Sequence, residues 1–574
     1  MFLRLILATL ILTCTARAAN KPSVVLITVE GLGWGDLSAS GSAQVPTPRM
    51  DKLLAESAVF RDFHVSPLDA ASRAALLTGL EPLRAGVWGN HSGRHRLRPG
   101  LLTIASHLRG QGYATALTGT WALGDNCPSR PQDYGYSHVL THPGGTPGGV
   151  ADFYSNDGTD DLWLLNGETS PRQGSYVEVT FSTAISFIEK NAAQPFFCHV
   201  SPALPPGMAA KKMEPFRNKP EISNPLRAAW LTELDAVIGD FLDQLERLQP
   251  GAGTIVILTS TTGMPGAGNN KPQGFNAGRR GSRGSPYDGG HCVPLIIRWP
   301  EGGIAAGNVI AAAAHYDLLP TLAALTGTAL PAGYKGDGLS LTPFIWPGAT
   351  TAPPAERLLI TDAQEIPVPV AGRQQCVMFG PWRLINGREL YDLRTDPGQR
   401  KNLAAAQTDI VERLRAAGET WWSILAPDKL EPVRTIVGGA QDPVLLTPHD
   451  WLGRSTTPVS RDDVIRGTPA NGQWVLEVAS QGNYDILLRR WPLTVNRAIH
   501  ESFFTPDKAR LRLGTHDETK SVPAGSTGVN FRISLKPGPA ALQTWFMGGG
   551  KISGAFFVEI RRAVEVRAAK PVPQ

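Results

Sequence analysis

The sequence predicts an α/β fold built on a mixed, largely parallel sheet flanked by helices, with a small antiparallel C-terminal sheet and an appended all-β domain. Three observations carry this. Between residues 20 and 354, short β-branched and aliphatic runs alternate with helical patterns. From residue 355 the runs become short strands separated by turns. Beyond residue 449, strands recur without long helices and are punctuated by Gly and Pro.

The stretch 23–29, SVVLITV, is unbroken by any charge and reads as a strand buried on both faces. It opens into Glu30-Gly31-Leu32-Gly33. Similar runs at 114–117, 196–200, 254–259 and 293–298 read the same way. Helical patterns lie between them at 50–57, 102–108, 183–190, 226–248 and 318–325. In such a sheet the chemistry gathers at the carboxyl ends of the strands. Strands at 376–379, 382–385 and 389–393, then a helix at 409–424, form the small sheet with its helix. Residues 426–448 are rich in Pro and polar side chains and read as a linker. Strands at 474–478, 484–488, 510–513, 529–535, 541–546 and 555–560 suggest a β-sandwich or jelly roll. The expected division is 1–18 signal peptide, 20–354 α/β domain, 355–425 small sheet plus helix, 426–448 linker and 449–574 β-sandwich-like accessory domain.

A length of 574 residues exceeds one ordinary domain. At the N-terminus, Arg4 is followed by an apolar run over 5–12 and by Ala16-Arg17-Ala18, the pattern of a cleaved secretory signal. The run is too short to span a membrane, and no later segment is long and apolar enough to do so. Export to a periplasm or outside the cell is therefore expected. The net charge of +5 falls to +3 once Arg4 and Arg17 are removed, too little to imply nucleic acid. Cys127, Cys198, Cys292 and Cys376 are widely spaced and show no metal pattern, so buried free thiols or one or two bridges are expected. Two basic clusters, Arg94/Arg96/Arg98 and Arg279/Arg280/Arg283, read as solvated surface, with anion binding as the minority reading.

One stretch is far more specific. Ser66-Pro67-Leu68-Asp69-Ala70-Ala71-Ser72-Arg73-Ala74-Ala75-Leu76-Leu77-Thr78-Gly79 resembles the sulfatase signature Ser-Pro-x-Cys-x-Pro-Ser-Arg-Ala-x-Leu-Leu-Thr-Gly. Further landmarks come in the same order as in that family. They are Leu32-Gly33-Trp34-Gly35-Asp36-Leu37, Asp288-Gly289-Gly290, Arg298-Trp299-Pro300, the stretch His315 to Leu322, and Leu390-Tyr391-Asp392-Leu393 with Asp396-Pro397 and Asn402-Leu403. The resemblance covers 20–425 and implies an alkaline-phosphatase-superfamily fold and a sulfuric ester hydrolase ancestry. It implies a formylglycine nucleophile made from Cys or Ser, a divalent cation such as Ca²⁺ in hard oxygen ligands, and cations with a general acid at the leaving group.

The departures fall on that machinery. Asp69 stands in place of the nucleophile and Ala71 in place of the motif's proline. The family's paired ligands Asp-Asp and Asp-Asn appear as Glu30-Gly31 and Thr261-Thr262. Its Gly-Lys-Trp-His appears as Gly119-Thr120-Trp121-Ala122, and its Ala-Pro-His lies near Leu204-Pro205-Pro206 without the His. Arg73 keeps its charge, and Arg283 replaces a lysine. The expected site is thus Asp69 at the nucleophile position, Arg73 and Arg283 as cations, and Glu30 as the surviving candidate metal ligand. No cofactor is expected, with Ca²⁺ bound only if the site is active. Without a metal, Asp69 facing a sulfate brings two negative charges together, which opposes turnover.

The leading expectation is an exported, catalytically degenerate sulfatase (a pseudoenzyme) that binds sulfated or other glycans through Arg73, Arg283 and the Arg94–Arg98 cluster. The alternatives are an active sulfuric ester or phosphoester hydrolase using Glu30 and Asp69 for a metal, and a module whose β-domain carries the function. Asp69 also reads as a charge favouring the start of a helix near Ser72, with Arg73 paired to Asp69 or Glu30. His291 reads as structural, while His64, His91 and His95 are candidates to surround the pocket. Trp474, Trp491 and Trp545 read as core aromatics before a sugar-stacking face. Asn90-His91-Ser92 is a glycosylation sequon.

Overall fold

The computed structural model describes residues 21–563 except 91–92, 146, 206, 209, 250–252, 267–271, 348, 350–355, 426–430, 454–459 and 501–503. The expected signal peptide, and His91 with it, lie outside the described residues.

The main sheet has ten strands: β1 (Ser23–Val29), β2 (Ala58–His64), β3 (Ala114–Gly119), β4 (His138–Thr141), β5 (Leu162–Leu165), β6 (Glu168–Pro171), β7 (Phe196–Ser201), β8 (Thr254–Ser260), β9 (Cys292–Arg298) and β10 (Gly307–Ala314). Their order is β10-β2-β9-β8-β1-β7-β3-β4-β5-β6. The pairs from β8 through β1, β7 and β3 to β4 are parallel, and so is β10 with β2, while β9 runs against both neighbours. Every residue of β1 is buried, as its unbroken apolar run requires. One face is covered by helices Pro48–Ala55, Tyr176–Asn191 and Pro225–Leu248, which bury residues such as Leu53, Phe181, Trp230 and Phe241. The other face carries Asp69–Thr78, Ile104–Gly110 and Leu318–Leu325, with Ala74, Leu108 and Leu322 in its core.

The expected α/β class and the mostly parallel sheet are thus observed. β2 and β10 had no expected counterpart. Arg61 and Asp62 break the apolar pattern of β2, and β10 is an edge strand with a mostly exposed or half-buried sequence.

A four-stranded antiparallel sheet follows, β11 (Leu358–Thr361), β12 (Cys376–Phe379), β13 (Trp382–Ile385) and β14 (Glu389–Asp392), backed by the helix Thr408–Leu425. The expected linker needs correction. Among its described residues, β15 (Thr435–Val437) and β16 (Val444–Leu446) each join a sheet, because their apolar side chains are buried there.

The last strands are β17 (Gln473–Val478), β18 (Gly482–Arg489), β19 (Lys508–Leu513), β20 (His516–Ser521), β21 (Val529–Leu535), β22 (Gly538–Gly548), β23 (Lys551–Ser553) and β24 (Phe557–Arg562). They form two sheets over one shared core, with alternating burial in β17 and β21. Trp474 and Trp491 are buried, whereas Trp545 is half-buried beside Arg510 and Arg512. All four described cysteines are unbridged.

Candidate functional site

The parallel strands deliver their following residues to one place. β1 ends at Val29 beside Ser260 of β8, so Glu30 and Thr261 emerge together. The Thr261 N–H donates to Val29 O at 3.2 Å, and the Glu30 N–H to Pro202 O at 3.1 Å. β7 contributes Ser201 at its end, and β3 hands over to Thr120, whose N–H donates to Ser201 O at 2.9 Å. β2 leads through Ser66 to the helix that begins at Asp69 rather than near Ser72. Leu68 occupies the N-cap position, so Asp69 sits within the first turn and favours the helix by its charge.

Asp69 is occupied on both oxygens. Arg73 Nε donates to Oδ2 at 2.8 Å, and the Thr261 hydroxyl donates to Oδ1. Arg73 Nη1 donates to Thr120 O at 3.2 Å and to the Ser201 hydroxyl. The two side chains are 6% and 2% exposed, so this is a closed ion pair. Of the two expected partners of Arg73, the structure shows Asp69. Glu30 instead accepts from Arg283 Nη1 at 2.8 Å, a pair at the rim with Arg283 40% exposed.

Burial, and after it the charge of Asp69, push the Glu30 carboxyl up, against the pull of Arg283 and Arg73. Asp69, then Glu30, hold the Arg73 guanidinium above its ordinary value despite its burial. Beneath the pair lies His199, which the sequence reading did not single out. Its Nε2 meets the Thr28 hydroxyl at 2.8 Å and its Nδ1 meets Tyr136 OH at 2.9 Å. Burial, then Arg73, push His199 down to about 3, so it is neutral and structural at ordinary pH. Its signal was a lone imidazole in the otherwise apolar run of β7.

The implied cation can be tested against these donors. A calcium ion takes roughly six to eight oxygens and depends on unneutralised carboxylates. Here Asp69 and Glu30 each already hold a guanidinium, and Thr261 and Thr262 add only hydroxyls. The residues present do not fit the ion. Ala122, where the resemblance places a histidine, has φ +57°, a left-handed conformation that an alanine adopts at a cost.

The other expected contributors lie elsewhere. Arg96 is buried, donating to Thr435 Oγ1 at 2.7 Å and Asn126 O at 3.0 Å, and lies 3.9 Å from Asp450. It is neither solvated nor available to a ligand. The segment around β15 packs on it, a contact invisible in local sequence. His64 bonds Asp62 at 2.8 Å and His291 Nδ1 at 3.0 Å. His291 is buried and structural. His95 packs edge-on against Trp88.

Asp62, His64 and Cys292 bring one ligand atom each within 4.8 Å of one another. However, Arg383 donates to Asp62 at 2.7 Å and already occupies that carboxylate. Although burial opposes it, Arg383 and then His64 hold Asp62 well below the usual carboxylate range. Among the described residues, no helix is long and apolar enough to cross a membrane.

The fold is that of an α/β protein with its charged residues at the carboxyl ends of parallel strands. The sulfatase family model matches residues 22–328. N-acetylgalactosamine-6-sulfatase of Sus scrofa is 26% identical over 454 residues, 69% of this chain and 84% of the relative. Arylsulfatase A of Bos taurus is 30% identical over 367 residues, 59% of this chain and 70% of the relative. The crystal structure of Ps i-CgsB in complex with k-i-k-neocarrahexaose shares the fold, with a TM-score of 0.60 and 22% identity over 70% of this chain and 93% of that one. The PsFucS1 sulfatase from Pseudoalteromonas sp. aligns with a TM-score of 0.55 and 19% identity, covering 72% and 91%. This chain belongs to the sulfatase family.

Proposed function

We propose that this sulfatase-family protein has lost sulfate ester hydrolysis and acts, after export, as a binding protein for anionic ligands such as sulfated glycans. The observation that carries the first half is the closed pair of Asp69 and Arg73 at the nucleophile position. A nucleophilic carboxylate must be free to attack, but both oxygens of Asp69 accept hydrogen bonds from its own fold. The guanidinium that would meet a sulfate is already neutralised. The lysine and histidine of the family motif are Thr120 and Ala122, neither of which can protonate a leaving group at ordinary pH.

The ligand class is supported by the company the chain keeps. Among its relatives is an N-acetylgalactosamine-6-sulfatase, beside arylsulfatases, and the neighbour Ps i-CgsB was solved with a neocarrahexaose. Arg283 at the rim is 40% exposed, so an anion could share its guanidinium with Glu30.

The test is turnover of an aryl sulfate and an aryl phosphate by purified protein, with and without Ca²⁺, beside Asp69→Ala. No turnover in any condition is expected. Turnover that disappears in Asp69→Ala would restore the hydrolase reading.

A further inference from the structure

A second charged region has the opposite character. A cavity of about 680 Å³ is bounded by β2, β10, the loop before Arg280 and the turns flanking β13 and β14. It shares no lining residue with the site formed by Glu30, Asp69, Arg73, Thr261 and Arg283.

Five arginines line it, and three are matched by acids. Arg383 holds Asp62 at 2.7 Å and Asp288 at 3.3 Å, Arg357 holds Asp317 at 2.8 Å, and Arg394 holds Asp392 at 2.7 Å. Arg61 and Arg279 are different. Among the described residues neither forms an ion pair; Arg61 Nε donates only to the neutral Asn308 Oδ1, at 2.7 Å.

Both guanidinium groups lie against the buried Trp34 ring, 4.7 and 5.6 Å from its centroid. Two like charges near one ring repel each other, and an anion in the cavity that both line would relieve that repulsion. In keeping with this, burial and then the charge of Arg279 push Arg61 down. The remaining acid of the wall, Glu356, forms no ion pair among the described residues. The cavity also has apolar lining. Ile310, 93% exposed, stands on the edge strand, with Ala311, Ala312 and Phe344 beside it.

We propose that this cavity binds an organic anion. Arg61 and Arg279 take its oxyanion group, and its apolar body covers Ile310 and Phe344. Arginine suits the task because its planar fork matches the oxygens of a sulfate, phosphate or carboxylate. The site is independent of whether the Asp69 centre turns over sulfate esters.

The test is calorimetric titration of the full chain at low salt with 4-nitrophenyl sulfate, 4-nitrophenyl phosphate, benzoate and inorganic sulfate. Saturable binding of at least one aryl probe is expected, tenfold or more tighter than inorganic sulfate, and the tightest probe identifies the head group. Arg61→Gln and Arg279→Gln keep part of the stem and should each weaken binding tenfold or more, while Arg466→Gln, on the C-terminal part, should not. A thermal melt within a few degrees of the parent confirms that each variant is folded. Absence of saturable binding by every probe, or binding unchanged in both Arg61→Gln and Arg279→Gln, overturns the site. Equal affinity for inorganic and aryl sulfate overturns the role of the apolar wall.

Discussion

Arg73, just beyond β2, and Arg61, within it, meet opposite fates. Arg73 belongs to the most family-like motif of the chain, yet its charge is consumed by Asp69 inside the fold. Arg61 belongs to no motif, yet it faces a cavity with Arg279, and among the described residues neither forms an ion pair, although the charge of Arg279 reaches Asp62. The difference teaches that a preserved motif can preserve packing rather than chemistry. A cation available to a ligand is found by asking which charges the protein leaves unmatched.

The strongest way to break this comparison is to strand one half of the closed pair. Arg73→Met leaves Asp69 buried without its cation and should cost about 3–5 kcal/mol in urea unfolding at pH 7. Arg73→Met with Asp69→Leu removes both charges and should recover most of that loss. A single variant costing less than about 1 kcal/mol would show that the pair is not buried as described.

A buried acid that forms no ion pair among the described residues sharpens the contrast from the other side. Burial pushes Glu81 up to about 8, against the hydrogen bond it accepts from Trp421 Nε1 at 3.1 Å and helped by the charges of Asp337 and Asp362. A free glutamate in the unfolded chain ionises near its ordinary 4.5. Between these values the folded state holds the extra proton, so stability falls as pH rises from about 4.5 to 8, by at most about 1.4 kcal/mol per pH unit. Glu81→Gln should flatten that slope in melts taken across the range. An unchanged slope would assign it to other groups.

Two smaller effects complete the series. Ala122→Gly should relieve the left-handed backbone at φ +57° and stabilise the protein by up to about 1 kcal/mol in thermal unfolding. A clear loss would mean that the alanine methyl packs for its own sake. Arg283→Ala breaks a pair whose cation is 40% exposed, and should shift stability by less than about 1 kcal/mol. A larger loss would make the rim as tightly bound as the Asp69 pair.

Much of the architecture was legible because it rests on unbroken apolar runs. β1, β12, β13 and β21 fall where their sequences placed them, as does the helix Leu318–Leu325. β2 was not legible, since Arg61 and Asp62 interrupt it and find their partners far along the chain. β20, HDETKS, carries no apolar residue and is a strand only because β19 pairs with it. Within the site, Glu30, Asp69 and Thr261 were legible through the resemblance to the sulfatase signature and its ligand pairs, and the fold puts them after strands or at a helix start. The partner of Arg73 was narrowed to two acids, and the fold selected the nearer in sequence. The burial of Arg96 and the neutrality of His199 depend on what packs over them, which no local pattern records.

Calcium titration of the purified protein by calorimetry tests the central claim most directly. Because Asp69 and Glu30 each already hold a guanidinium, no saturable binding is expected at millimolar Ca²⁺, in the parent or in Glu30→Gln. One calcium bound per chain in the parent and lost in Glu30→Gln would contradict the account, showing that the carboxylates part from their arginines to form a working metal site.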